Sequence, residues 1–166
     1  MKVLKFGGTS VGSVENMHNV KNIIIDGEKK VVVLSAMSGT TNQLVSIAQD
    51  IADEKSDEAL NKISKLNESY LLTVDSLLQD STLNHSVKEY VSSVFDFLKG
   101  CAKKDFSQAL ENQIVAQGEL LSTYMFNSYL NQEGIASALL PALDFMRIDE
   151  NKEPNIEFIK ENIGAV

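Results

Sequence analysis

A lysine and two glycines stand where a strand pattern turns into a helix pattern, and this junction constrains the fold more than any other feature of the chain. Val3-Leu4-Lys5-Phe6 is a short extended segment that runs directly into Gly7-Gly8-Thr9-Ser10-Val11-Gly12. Apolar residues then recur at helical spacing, at Val14, Met17, Val20, Ile23 and Ile24, with Ser13 as the expected N-cap and Gly27 as the stop. Lys29 and Lys30 lead into Val31-Val32-Val33-Leu34, whose unbroken β-branched run predicts a strand covered on both faces. Strand, glycine turn, helix and strand make a βαβ unit, which implies a parallel sheet with a right-handed crossover.

A second loop of small residues, Ser35-Ala36-Met37-Ser38-Gly39-Thr40-Thr41-Asn42, follows the second strand and opens a helical pattern in Leu44, Val45, Ile47, Ala48 and Ile51. Both loops therefore leave the carboxyl ends of neighbouring strands, where open α/β sheets hold their ligands. Helical periodicity resumes at Leu60, Ile63, Leu66, Tyr70, Val74 and Leu77, and again from Val87 to Leu98, which predicts an antiparallel helical pair. A long helix follows from a Ser107 cap through Leu110, Ile114, Leu121 and Met125 to a Gly134 C-cap. Residues 135–140 are expected as a third strand closed by Pro141. Residues 144–149 suit a short strand or loop, and residues 155–162 a terminal helix.

The 166 residues suit one domain or a large piece of one. Their net charge of −8 argues against nucleic acid or an anionic membrane as partner, although a nest of backbone N–H groups with a lysine can still hold a small anion. No apolar run approaches the roughly 18 residues of a membrane span, so a cytoplasmic protein is the expectation. Cys101 stands alone and suits a small apolar core position. His18 and His85 lack the spacing of a metal site and suit the surface.

Chemistry concentrates in three places. In Lys5-Phe6-Gly7-Gly8-Thr9-Ser10 a cation precedes two residues free to adopt positive φ and two hydroxyls at the start of a helix. Such a loop can cradle phosphate on backbone amides while the lysine neutralises charge; by itself, a Gly-Gly pair also serves as a plain turn. A full charge inside an apolar strand asks for a partner or a ligand, which favours the first role for Lys5. Ser35 to Asn42 can hold a carboxylate or phosphate through O–H and N–H donors, or can simply cap a helix at Thr40 or Thr41. Gly118 interrupts the long helix at a cost of about 1 kcal/mol relative to alanine, which asks for close approach of a strand or ligand. Glu119 beside it can accept from a substrate ammonium or be a solvated helix glutamate.

Lys5-Phe6-Gly7-Gly8-Thr9-Ser10-Val11, Leu34 to Asn42 and Gly118-Glu119-Leu120-Leu121-Ser122-Thr123, taken in this order, resemble the aspartate kinases. The resemblance implies the amino-acid kinase fold, a three-layer α/β/α sandwich with a mostly parallel sheet, here incomplete and carrying a large helical segment. It implies transfer of the ATP γ-phosphoryl group to the side-chain carboxylate of L-aspartate, with Mg2+, at the head of lysine, threonine and methionine biosynthesis. Lys5 would be the catalytic cation, and Lys5, Phe6, Gly7, Gly8 and Ser10 the nucleotide-phosphate site. Ser35, Thr41 and Glu119 would bind aspartate, Glu119 through its amino group. The family pattern continues with a Gly-Arg-Gly-Gly-Ser-Asp run, an adenine-binding segment and regulatory ACT domains that these residues lack. Residues 1–166 are therefore expected to be the amino-terminal portion of a catalytic domain, inactive alone and drawn from a parent that is a homodimer or larger. The alternative is a non-catalytic binding or dimerisation module with the same fold.

Overall fold

The computed structural model describes residues 1–165. β1 (Lys2–Phe6) and β2 (Lys30–Leu34) pair in parallel, in register from Lys2 against Lys30 to Phe6 against Leu34. The ladder runs one step further, because the Ser35 N–H donates to the Phe6 carbonyl at 3.1 Å. A single 3-10 turn (Gly8–Val11) and α1 (Val14–Ile24) make the crossover between the strands. Ser13 caps α1 by accepting from the Asn16 N–H, as its sequence position predicts, and Gly27 supplies a left-handed turn (φ +80°) beyond the helix end.

The two faces of this small sheet differ. Leu34 belongs to the core, and Phe6 and Val32 pack against it. Val3 and Val33 point the other way and are 66% and 42% exposed. β2 is thus covered on one face among the described residues, not on both as its valines suggest, because the helical core lies on the Leu34 side.

Four helices build that core: α2 (Thr40–Ala52), α3 (Ser56–Leu77), α4 (Ser81–Cys101) and α5 (Gln108–Gln132). They pack in a closed ring, α2 on α3, α3 on α4, α4 on α5 and α5 back on α2. Each outer helix buries one stripe; α3, for example, buries Ala59, Ile63, Leu66, Tyr70, Val74 and Leu77 at intervals of three and four. The second half of α5 is buried almost all round, from Leu121 to Leu130, because it touches both the bundle and β2. Phe95, Ile63, Ile114, Leu121 and Met125 are sealed from solvent in the middle. Cys101 lies there too, and burial pushes its thiol up, which suits the packing role expected of it.

The α3–α4 turn is closed by polar groups. Asp80 accepts from the Thr82 and Leu83 N–H groups at the start of α4. The Gln132 side chain at the end of α5 accepts from the N–H groups of Gln79 and Asp80, which ties the turn to the central helix.

Beyond α5 the structure departs from expectation. Gly134 takes the left-handed C-terminal position (φ +71°), but residues 135–140 form no ladder among the described residues. The Ser137 hydroxyl donates back to the Asn127 and Asn131 side chains, holding the segment along α5 rather than at a strand edge. A four-residue helix, α6 (Ala142–Phe145), replaces the expected strand or loop start, and an isolated bridge pairs Ile148 with Pro154. The terminal helix forms as α7 (Ile156–Asn162), capped by Asn155. No helix of the described residues is long and apolar enough to cross a membrane.

Replacing Asp80 with alanine leaves two α4 amides unpaired and is expected to cost about 1 kcal/mol in urea unfolding, whereas Asp80→Asn retains most of the cap.

Candidate active site

The three motifs meet at the carboxyl end of the two strands. The Lys5 ammonium, on the open face of β1, donates to Ser35 Oγ at 3.2 Å, and no carboxylate pairs with it among the described residues. One residue on, the Ala36 N–H donates to Glu119 Oε1 of α5 at 3.3 Å. Ser122, one turn along α5, donates its hydroxyl to the Ser35 carbonyl at 2.8 Å. A cation, a hydroxyl and a carboxylate from β1, the loop after β2 and α5 thus form one connected cluster.

Close backbone approach makes that cluster possible. A Cβ on Gly118 would meet Ala36 Cβ at 2.7 Å and Thr40 Cγ2 at 3.3 Å, so the helix glycine has the packing reason its position calls for. A Cβ on Gly8 would meet the Ala36 carbonyl oxygen at 2.8 Å. Neither Gly7 nor Gly8 uses positive φ: Gly7 sits at φ −77°, and Gly8 is required for the contact between the two loops. The glycines also open the 3-10 turn rather than α1, which begins only at Val14, so the dipole of a full helix does not reach them.

The second loop enters α2 without the hydroxyl cap that is one of its two sequence readings. Gly39 occupies the N-cap at φ +82° with no side-chain cap, and Thr40 turns inward instead. Thr40 Oγ1 shares a buried 2.9 Å hydrogen bond with the Tyr70 hydroxyl of α3. Burial pushes the Tyr70 phenol up to about 12; the Thr40 bond opposes this and the nearby Glu119 charge adds to it. Thr41, in the first turn of α2, is exposed.

Phe6 and Ser10 contribute less directly. Phe6 packs on the core and offers its carbonyl to Ser35, while the Ser10 N–H donates to the Gly7 carbonyl. Both line an open cleft of about 300 Å³ with Thr9, Asn16 and Asn19. A second cleft, of about 340 Å³, lies between Ser13, Met37 and the Ser69–Ser76 face of α3. Neither includes Lys5, Ser35 or Glu119, which form a surface cluster. No group of three His, Cys, Asp or Glu among the described residues could cage a metal ion. His18 and His85 are exposed, as expected.

Two side chains escaped sequence reasoning. Ser122 lies within the Gly118–Thr123 motif, and its i,i+3 spacing from Glu119 was the available signal for a shared face. Tyr70 has the spacing of an ordinary core residue, and nothing local announces its bond to a hydroxyl thirty residues away.

Gly118→Ala gains helix propensity yet forces Ala36 and Thr40 apart; a net loss of about 1–3 kcal/mol in urea unfolding is expected. The Tyr70 contribution to stability is complete below pH 10, where the unfolded phenol is still neutral. It is lost as pH rises toward 12, and Tyr70→Phe is expected to flatten that part of a stability-versus-pH curve.

Comparison with known proteins places the chain in a family. The amino acid kinase family matches residues 1–166. Aspartokinase 2, chloroplastic, of Arabidopsis thaliana is 30% identical over 169 aligned residues, covering 99% of this chain and 30% of that protein. Two crystal structures of Escherichia coli aspartokinase III superpose on 99% of the chain. The complex with lysine and aspartate has a TM-score of 0.81 at 25% identity, and the complex with aspartate and ADP 0.79 at 26%. Each match covers 37% of the crystallised chain, so these residues span about a third of the length of the relatives they match. The chain belongs to the amino acid kinase family, and its likeness within that family is to the aspartokinases.

Proposed function

We propose that residues 1–166 are the amino-terminal part of an ATP-dependent aspartate kinase and carry its phosphate-facing lysine together with its amino-acid acceptor site. The observation that supports this is the continuous run from Lys5 Nζ through Ser35 and Ala36 to Glu119, a cation at one end and a carboxylate at the other. An α-amino dicarboxylate has complementary ends: its ammonium suits Glu119, and its side-chain carboxylate then lies toward Ser35, Thr41 and Lys5.

The chemistry asks little of the protein beyond placement. The acceptor carboxylate is already ionised at neutral pH, since an aspartate side chain titrates near 3.9, so no general base is needed. One of its oxygens forms a bond to the γ-phosphorus as the bond from that phosphorus to the β,γ-bridging oxygen breaks, and ADP leaves. Charge spreads over the transferring phosphoryl oxygens during this exchange, and Lys5, which no carboxylate pairs among the described residues, can meet it. Gly7 and Gly8, with Phe6 and Ser10 beside them, would offer backbone donors to the nucleotide phosphates. Mg2+ would supply further neutralisation of the phosphate charge that Lys5 faces.

In the whole protein, Lys5→Met is expected to lower kcat by roughly a hundredfold to a thousandfold in a coupled ATP, Mg2+ and aspartate assay. Glu119→Gln keeps an oxygen for the Ala36 N–H while removing charge. It is expected to raise the KM for aspartate roughly tenfold or more and to leave that for ATP near the wild-type value. The isolated 166 residues are expected to show no appreciable turnover; a rate near that of the whole protein would refute this part of the proposal.

A further inference from the structure

One turn of α5 grips a single peptide unit from both ends. The peptide joining Ser35 to Ala36 accepts at its carbonyl from Ser122 Oγ, at 2.8 Å, and donates its N–H to Glu119 Oε1, at 3.3 Å. In a trans peptide these two groups point in opposite directions, so two bonds from one rigid helix turn prevent the plane from rotating. Ser122 is fully buried and has one proton to give. Its other contact, the Glu119 carbonyl, is longer at 3.1 Å, so the Ser35 carbonyl is the nearer acceptor for that proton.

Without these two bonds the Ser35–Ala36 backbone is free to shift away from α5, which would carry the Ser35 hydroxyl from its partner Lys5 and release the Glu119 carboxylate. We infer that Ser122 is a positioning residue for phosphoryl transfer. It touches no reactant, but it sets where Ser35 meets Lys5 and pins one oxygen of Glu119, leaving Oε2 for the ammonium of an amino-acid acceptor. This rests on the aspartate-kinase reading of the site for its choice of acceptor. A buried serine that merely satisfies its own hydroxyl would affect stability alone, and the kinetic consequences separate the two roles.

The test compares wild type, Ser122→Ala, Ser35→Ala and the double variant in the whole protein, by steady-state kinetics and by hydrogen exchange at the Ala36 amide. Ser122→Ala is expected to lower kcat/KM for aspartate about tenfold, to leave the KM for ATP unchanged and to speed Ala36 exchange about tenfold. Because part of the Ser122 effect runs through the Ser35 hydroxyl, the loss in the double variant should be smaller than the two single losses combined. Ser122→Cys, a weaker donor of similar size, should fall between wild type and alanine, and it carries the comparison if the alanine variant does not fold. Wild-type kinetics and exchange in Ser122→Ala, losses that add in the double variant, or an equal fall in the aspartate and ATP parameters would overturn the inference. Should the wild-type protein phosphorylate a different acceptor, the aspartate reading fails. Ala36 exchange and the double-variant comparison on that acceptor would still decide the role of Ser122.

Discussion

The contact between Gly118 and Ala36 sets the geometry of everything around it. With no side chain at 118, α5 comes flush against the loop after β2, and only at that separation do Glu119 and Ser122 reach the peptide beneath them. A helix held one methyl group further out would leave Lys5 and Ser35 facing each other without support from below. The interior glycine is tolerated because tertiary packing returns more than the lost helix propensity. Its neighbours in the bundle hold α5 in place, and the tie from Gln132 to the α3–α4 turn secures the far end of the same helix.

Electrostatics in this protein is local. The chain carries a net charge of −8, yet the carboxyl end of the sheet presents a lysine that no carboxylate neutralises among the described residues. Screening over about 8–10 Å separates the two facts: the distributed surface acids do little at the Lys5 ammonium, while a hydroxyl at 3.2 Å orients it. Lys21 follows the other pattern. Its ion pair with Glu133, which raises the lysine and lowers the glutamate, joins α1 to the end of α5 and belongs to the scaffold.

What could be read from residues alone follows the range of the interactions. The Ser13 and Ser107 caps, the Gly134 turn and the α3–α4 turn depend on neighbours within a few positions, and the sequence predicts them; the βαβ unit follows from the order of its strand and helix patterns. Gly8 and Thr40 were legible as special but not for the right reason, since their partners, Ala36 and Tyr70, lie about thirty residues away. The 135–140 segment has a strand's composition, but strand formation requires a neighbouring ladder, and its hydroxyl bonds to α5 instead. The convergence of Lys5, Ser35 and Glu119 was legible only because three motifs were considered together. The roles of Ser122 and Tyr70 emerge only from the three-dimensional packing.

The spans of these hydrogen bonds also bear on how the molecule assembles. Ala36 and Ser35 are joined to α5 across separations of 83 and 87 residues, whereas α3 and α4 meet across a short turn. Closing the longer span costs more chain entropy, so the helical hairpin can form early while the loops after β1 and β2 wait for α5. During synthesis the glycine segment therefore leaves the ribosome far ahead of its anchor, and the nascent chain exposes Phe6, Leu34 and an unpinned lysine until the helix arrives.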